Sequence, residues 1–374
     1  MNKNHKKKWV SFPAFQLSSF PAVLRNSRGM TLIEVMVASA ISMILVMAFY
    51  SAMDYQQKAN VVQDQITKAQ ENLRVAMGMI ERDLRMAAYG LNEQMTLTTN
   101  TPRRQGIYPT AGASGASGTP DSIEIWANFN DKKLYASAAV AVGDTTVSVG
   151  TDPADNTKNA LSYFRVGDYL VIRDPVADKT EAKLIISPVA AGTIKVSTAF
   201  ANAYPQYSEV RDIKKHTYAV DGNGNLTLTL VVTIAGTDTE VSPILAENIE
   251  DLQFAYGMDN NTSSPLVATA VPDGTVDAWV NNPLGDGVDN DGNGVTDGTD
   301  ARDLSRIAAV RVSIVARTAR EDQSWARAGA TPPFFRPTIE DRTADGTHDG
   351  RRRRIMEKIV FVRNLGLIGK YLPH

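Results

Sequence analysis

The chain has 374 residues, 43% of them hydrophobic, and 39 Lys+Arg against 41 Asp+Glu give a formal net charge of −2. That length can bury a sizeable core, and the balanced charge argues against a dedicated nucleic-acid binder, which carries a basic excess. Cysteine is absent, which excludes disulfides, thiolate metal sites and cysteine nucleophiles, and the four histidines (His5, His216, His348, His374) are too scattered for a histidine-rich metal site or a triad.

Charge is distributed unevenly from the start of the chain. Residues 1–29 hold Lys3, Lys6, Lys7, Lys8, Arg25 and Arg28 and no acid; losing these six cations would take the net charge from −2 to −8. The most apolar stretch follows, Met30 to about Tyr50, roughly 21 residues. A helix rising about 1.5 Å per residue needs that length to cross about 30 Å of hydrocarbon. A basic flank ahead of it predicts a cytoplasmic N-terminus and an exported remainder. Glu34 lies inside the apolar run. An acidic side chain there costs roughly 2.5–3.5 kcal/mol on insertion scales, so a partner is expected.

The segment Arg28-Gly29-Met30-Thr31-Leu32-Ile33-Glu34 resembles the processing signal of type IV prepilins and type II secretion pseudopilins. The resemblance implies cleavage between Gly29 and Met30 by a prepilin peptidase and N-methylation of Met30. Glu34 then becomes the fifth mature residue. It is expected to pair with the N-terminal amine of a neighbouring subunit and so set axial register; an intramolecular Met30–Glu34 pair is the alternative. In a plain secretory signal the apolar core would be shorter and would precede the cut. Met30 stands where phenylalanine is commonest. The leader of 29 residues is long, and a start at Val23 or Leu24 would shorten it.

The helix is expected to continue. Tyr55, Ala59, Val62, Ile66, Ala69, Leu73, Ala76, Ile80, Leu84 and Ala87 fall on one face, and no proline interrupts Met30–Leu91. Residues 30–90 would make a helix about 90 Å long, with the other positions, Glu81, Arg82 and Asp83 among them, charged. Residues 91–374 read as a β-rich globular domain. A Gly/Ala/Ser loop, Ala111–Pro120, comes first. Strands are predicted at Ser122–Phe129, Tyr169–Arg173, Glu181–Ile186 and Thr193–Ser197, within or beside an all-β insertion at about 131–205. Thr217–Val220 and Leu226–Ile234 flank a hairpin turn, Asp221–Asn225. Asn248–Tyr256, Ile307–Ala316 and Ile355–Val362 complete the sheet. His216 has no evident acid–base partner, Trp126, Trp279 and Trp325 read as core or interface aromatics, and Arg351–Arg354 reads as a solvated loop end. No Walker loop, Rossmann glycine signature or nucleophile elbow is present, so no enzyme is expected.

Ile249–Gly257, Arg306–Arg317 and Arg351–Asn364, with Phe361-Val362-Arg363-Asn364 and Arg82-Asp83-Leu84, resemble PilW-type minor pilins. The J-type pseudopilin of type II secretion is the nearest alternative. The implied fold is α+β: a long N-terminal helix packed on a C-terminal antiparallel β-sheet domain. The implied role is assembly of a type IV pilus in its priming or tip complex. The implied partners are other minor and major pilins, the prepilin peptidase, the inner-membrane assembly platform and a tip adhesin. A single membrane pass precedes assembly, an extracellular pilus follows it, and no nucleic acid is expected.

One metal site is suggested within about 286–300. Asp289, Asp291, Asn293, the Val295 carbonyl, Asp297 and Asp300 have the spacing of a twelve-residue calcium loop, with Gly294 at its turn. Asp300 stands where a longer glutamate is usual, which predicts weak Ca2+ binding. A membrane-anchored, calcium-dependent surface binding protein is therefore a second functional class.

Overall fold

A computed structural model describes residues 30–91, 106–115, 118–177, 179–187, 192–234, 237–259, 275–285, 303–322, 334–344, 346 and 348–366. Helix α1 runs Leu32–Met86. Contacts divide the chain at Gln57/Lys58. Before that boundary the helix carries exposed apolar residues on all sides, Ile33, Met36, Ile44, Leu45 and Phe49 among them. It is the one described helix long and apolar enough to cross a membrane. After the boundary one stripe is buried: Ala69, Leu73, Ala76, Ile80, Leu84 and Ala87 follow the expected spacing. Tyr55, placed on the same stripe from sequence, is exposed.

The helix stops because Ala88 takes a left-handed φ of 63°. Its backbone is held there by Ala88 N–H donating to the Trp126 carbonyl, while Trp126 N–H donates to that of Gly106. A Cβ at Gly106 would lie 2.5 Å from the Ala88 methyl, and its φ is +88°, so only glycine lets the two chains approach this closely.

Among the described residues fifteen strands follow: β1 Ile107–Thr110, β2 Ser122–Ala127, β3 Lys133–Tyr135, β4 Thr146–Ser148, β5 Tyr169–Asp174, β6 Lys179–Leu184, β7 Thr193–Lys195, β8 Glu209–Val220, β9 Leu226–Ile234, β10 Thr237–Val241, β11 Ile244–Ala246, β12 Ile249–Met258, β13 Ala278–Val280, β14 Ile307–Arg317 and β15 Arg353–Phe361. All pairings between these strands are antiparallel. The fold is thus α+β and pilin-like. One sheet runs β1-β2-β8-β5-β6, with β3 and β9 also on β8 and β10 and β11 on β9; a second runs β13-β12-β14-β15; β4 and β7 form a ribbon.

Strand β8 joins two cores. Its first residues pair with β5 (Tyr169↔Ile213), and its later ones with β2 (Ile123↔Tyr218). Val210 belongs to a separate core with Leu134, Phe164, Leu170, Ile172, Ile194 and Phe200. Tyr218 belongs to the main core with the α1 stripe, β12 and β14. At the β8–β9 hairpin the Asp221 carboxylate accepts the Asn223 and Asn225 N–H groups, and Gly224 supplies a φ of +79°. That local bonding makes the segment a turn.

The Arg351–Arg354 expectation is corrected. Arg353 opens β15, and its nearly buried guanidinium bridges Glu250 (2.8 Å) and Asp349 (2.8 Å), while Arg352 pairs with Asp322 at 2.7 Å. The run anchors a strand because half-buried Glu250 and Asp349 and the buried Asp322 find their cations there. Asp251, also buried, is met in the same way by Arg336 at 3.1 Å and Arg342 at 2.6 Å.

Candidate assembly site

Two places on α1 carry the chemistry. At its start Thr31 is the N-cap. Thr31 N–H and Oγ1–H donate to Glu34 Oε2 at 2.9 and 3.0 Å, and Glu34 N–H donates back to Thr31 Oγ1 at 3.3 Å. This reciprocal capping box satisfies two backbone donors that a helix start leaves unpaired. Among the described residues both bonds to the carboxylate end on Oε2, which leaves Oε1 open to a further cation. Met30, immediately before the cap, is 72% exposed. Thr31 belongs to the motif read from the sequence, but its capping role does not enter that reading, although Thr-x-x-Glu ahead of an apolar run is the legible signature of the box. Gly29, the other residue of the expected cleavage site, lies outside the described residues.

Near its end, α1 is locked to the sheet. Asp83, expected among the outward charges, is instead wholly buried. His216 Nδ1 donates to it at 2.7 Å, Tyr218 O–H at 2.6 Å, and Arg82 pairs with it at 3.1 Å. Burial opposes ionisation of Asp83, but the bonds from His216 and Tyr218 outweigh it and hold the carboxyl below its usual range. Burial, followed by the Asp83 charge, pushes the Tyr218 hydroxyl up. Phe129 stacks on the His216 ring at 3.8 Å. His216 therefore has a partner that lies 133 residues away in sequence. Two further contacts secure the same turn: Lys358 of β15 reaches Glu81 at 2.6 Å, and Asn364 Nδ2 donates to the Ala87 carbonyl at 3.1 Å. The motif residues Asp83 and Asn364 thus acquire physical roles, one as the buried acid and one as a partner for an orphaned helix-end carbonyl.

A second buried acid sits under the Ala111–Pro120 loop. Asp121 accepts Gly112 N–H at 2.6 Å and Phe254 N–H at 2.9 Å. Burial pushes its carboxyl up to about 6 despite those bonds, helped by the nearby charges of Asp341 and Asp251.

Trp126 is buried in a small cluster with Tyr169, Val171 and Ile213, Trp279 lies under the Arg311 guanidinium, and Trp325 is outside the described residues. The expected calcium ligands Asp289, Asp291, Asn293, Val295, Asp297 and Asp300 are also outside them. Among the described residues no cluster of three or more His, Asp or Glu could hold a metal.

Comparison with known families agrees with both ends of this arrangement. Residues 24–50, which contain the capped start of α1, match the prokaryotic N-terminal methylation motif. Residues 217–364, from β8 through Asn364, match the family of type IV pilus-assembly protein W. No curated protein matches the chain. The motif is a substrate signal for a peptidase, and the family is structural. The two matches support a PilW-type minor pilin of type IV pilus assembly, a family whose members are structural rather than catalytic.

Proposed function

We propose that the chain is cleaved between Gly29 and Met30, methylated on Met30, and held in the inner membrane by the apolar half of α1 with its N-terminus cytoplasmic. From there it enters the priming or tip complex of a type IV pilus with other minor and major pilins, through the assembly platform, and meets a tip adhesin on the finished pilus. Its helix would exchange lipid for neighbouring helices, and Glu34 would be neutralised by a neighbour's N-terminal amine.

The observation that carries this reading is the capped carboxylate at the start of the exposed, apolar half of α1. Thr31 holds Glu34 in one orientation and occupies only Oε2. A carboxylate kept in apolar surroundings gains most from a second, charged donor, and Oε1 is available for it. We also assign Asp289–Asp300 as a weak Ca2+ loop of the exposed domain, on spacing alone.

The test is Glu34→Ala in cells lacking the native copy. Membrane insertion and leader removal should persist while surface pili fall at least tenfold. Wild-type piliation would overturn the proposal.

A further inference from the structure

Strand β8 carries a second set of buried charges, apart from Asp83. Its residues Val210, Asp212, Lys214, His216 and Tyr218 alternate onto one face. Val210 lies in the separate core, while His216 and Tyr218 meet Asp83 in the main one. Asp212 and Lys214 stand between the two. Asp212 is 2% exposed, and Asp168, the residue before β5, is 3% exposed. Lys214 Nζ lies 3.1 Å from Asp212 Oδ2 and 3.2 Å from Asp168 Oδ2, and it donates to the Tyr163 carbonyl at 2.9 Å. Tyr163 closes the short helix α2, Ala160–Tyr163. One ammonium thus gathers α2, β5 and β8 around two carboxylates.

The charges there do not balance among the described residues. Lys183 of β6, opposite Leu170, pairs with Glu181 at 3.0 Å. Lys132 lies 3.5 Å from Asp152, and His216 is held by Asp83. Arg165 donates to the Leu161 and Phe164 carbonyls and is shared with Asp238 at 3.8 Å. Asp168, Asp212 and Asp238 therefore face two cations, Lys214 and Arg165. An excess anion closed off from water is costly enough that one carboxyl keeps its proton instead. The hydrogen bonds show which one. Asp168 Oδ2 accepts Arg165 N–H at 3.1 Å and the Lys214 ammonium at 3.2 Å. Neither Asp212 oxygen accepts a hydrogen bond from a described donor, and Lys214 approaches its Oδ2 only as a charge. Burial, followed by the Asp168 charge, pushes the Asp212 carboxyl well up. Burial also opposes the charge on Lys214, but the two carboxylates outweigh it and keep the ammonium.

We propose that Asp212 is a neutral carboxylic acid whose O–H donates to the Asp168 carboxylate, and that this one proton is a pH-sensitive clasp fastening the insertion, about 131–205, to β8. Its loss leaves two carboxylates against one ammonium in a buried site and loosens α2 and β5 from β8. The sign is fixed: the folded carboxyl titrates above its unfolded value, so the stabilisation is full in acid and is lost as pH rises through the folded value. The clasp belongs to the folded domain and operates whether or not the chain enters a pilus.

Full-length wild type, Asp212→Asn and Asp168→Asn are melted in detergent at a series of pH values from mildly acid to mildly alkaline. Asparagine has the shape of a protonated aspartate and keeps a donor toward Asp168. Asp212→Asn should melt within about 2 °C of wild type in acid and at least about 3 °C above it in mild alkali. Asp168→Asn, which takes the anion from Lys214, should melt at least about 3 °C below wild type in acid. Limited proteolysis, compared between chains at each pH, should show cleavage within 131–205 rising at least threefold in alkali for wild type relative to Asp212→Asn. An offset between wild type and Asp212→Asn that does not change with pH, equal cleavage of the two in alkali, or an Asp212→Asn chain that fails to fold or melts no higher than Asp168→Asn would overturn the inference.

Discussion

Replacing Asp83 by alanine is the most informative perturbation of the globular domain. The buried carboxylate accepts hydrogen bonds from His216 at 2.7 Å and Tyr218 at 2.6 Å and pairs with Arg82 at 3.1 Å. Hydrogen bonds to a charged group contribute about 1.5–3 kcal/mol each. They do not add fully, because all of them meet one carboxylate. The alanine also strands the Tyr218 hydroxyl, which is wholly buried. Breaking a buried charged network of this kind costs about 3–5 kcal/mol, and that is the expected loss. Tyr218→Phe removes one bond and leaves His216 and Arg82 in place, so about 1–3 kcal/mol is expected. The double variant should fall short of the sum by at least about 1 kcal/mol. Urea unfolding of the full chain in detergent, followed by tryptophan fluorescence, measures all three. The pH dependence has a definite sign. The folded carboxyl titrates below its unfolded value of about 3.9, so its stabilisation is present above that pH and disappears as pH falls through the lower folded value. The difference between wild type and Asp83→Ala should therefore shrink in acid. A loss below about 1 kcal/mol at pH 7, or one that does not change with acid, would refute the reasoning.

Other outcomes follow from the same geometry. Gly106→Ala should destabilise by at least about 2 kcal/mol, combining left-handed strain and overpacking against Ala88; a thermal melt equal to wild type would contradict it. The Asp121 carboxyl carbon should titrate near pH 6 by NMR. Because this folded value lies above the unfolded one, the group stabilises the fold most in acid, and about 3 kcal/mol of that contribution is lost as pH rises from about 4 to 6; a midpoint below 4.5 would remove the claim. Calcium should raise the melting temperature of the wild-type chain and leave the Asp289→Ala/Asp291→Ala double variant unchanged, whereas equal melting of wild type in calcium and in chelator would exclude the loop as a site.

What sequence reveals here depends on range. The apolar stripe of α1, the Asp221–Asn225 turn and the long strands β12, β14 and β15 are local patterns, and each is visible in a window of about ten residues. Short strands such as β3, β4 and β13 carry too few residues for periodicity to register. Asp83 looked like an outward charge because it lies beside Glu81 and Arg82, and nothing local links it to His216 and Tyr218. Arg353 looked solvated for the same reason, its acid Glu250 being 103 residues away. At the assembly end the opposite holds. Glu34 stands out as a charge in apolar surroundings, while Thr31, named only as part of the motif, also completes a capping signature with a known physical basis.

The central claim is that the apolar helix is freed at a glycine and begins at a modified methionine. Mass spectrometry of the amino-terminal peptide, taken from this chain purified out of membranes or pili, tests it directly. The account predicts a mature chain starting at N-methylated Met30. A peptide still carrying Arg28-Gly29 ahead of Met30, or an unmethylated start elsewhere, would contradict it.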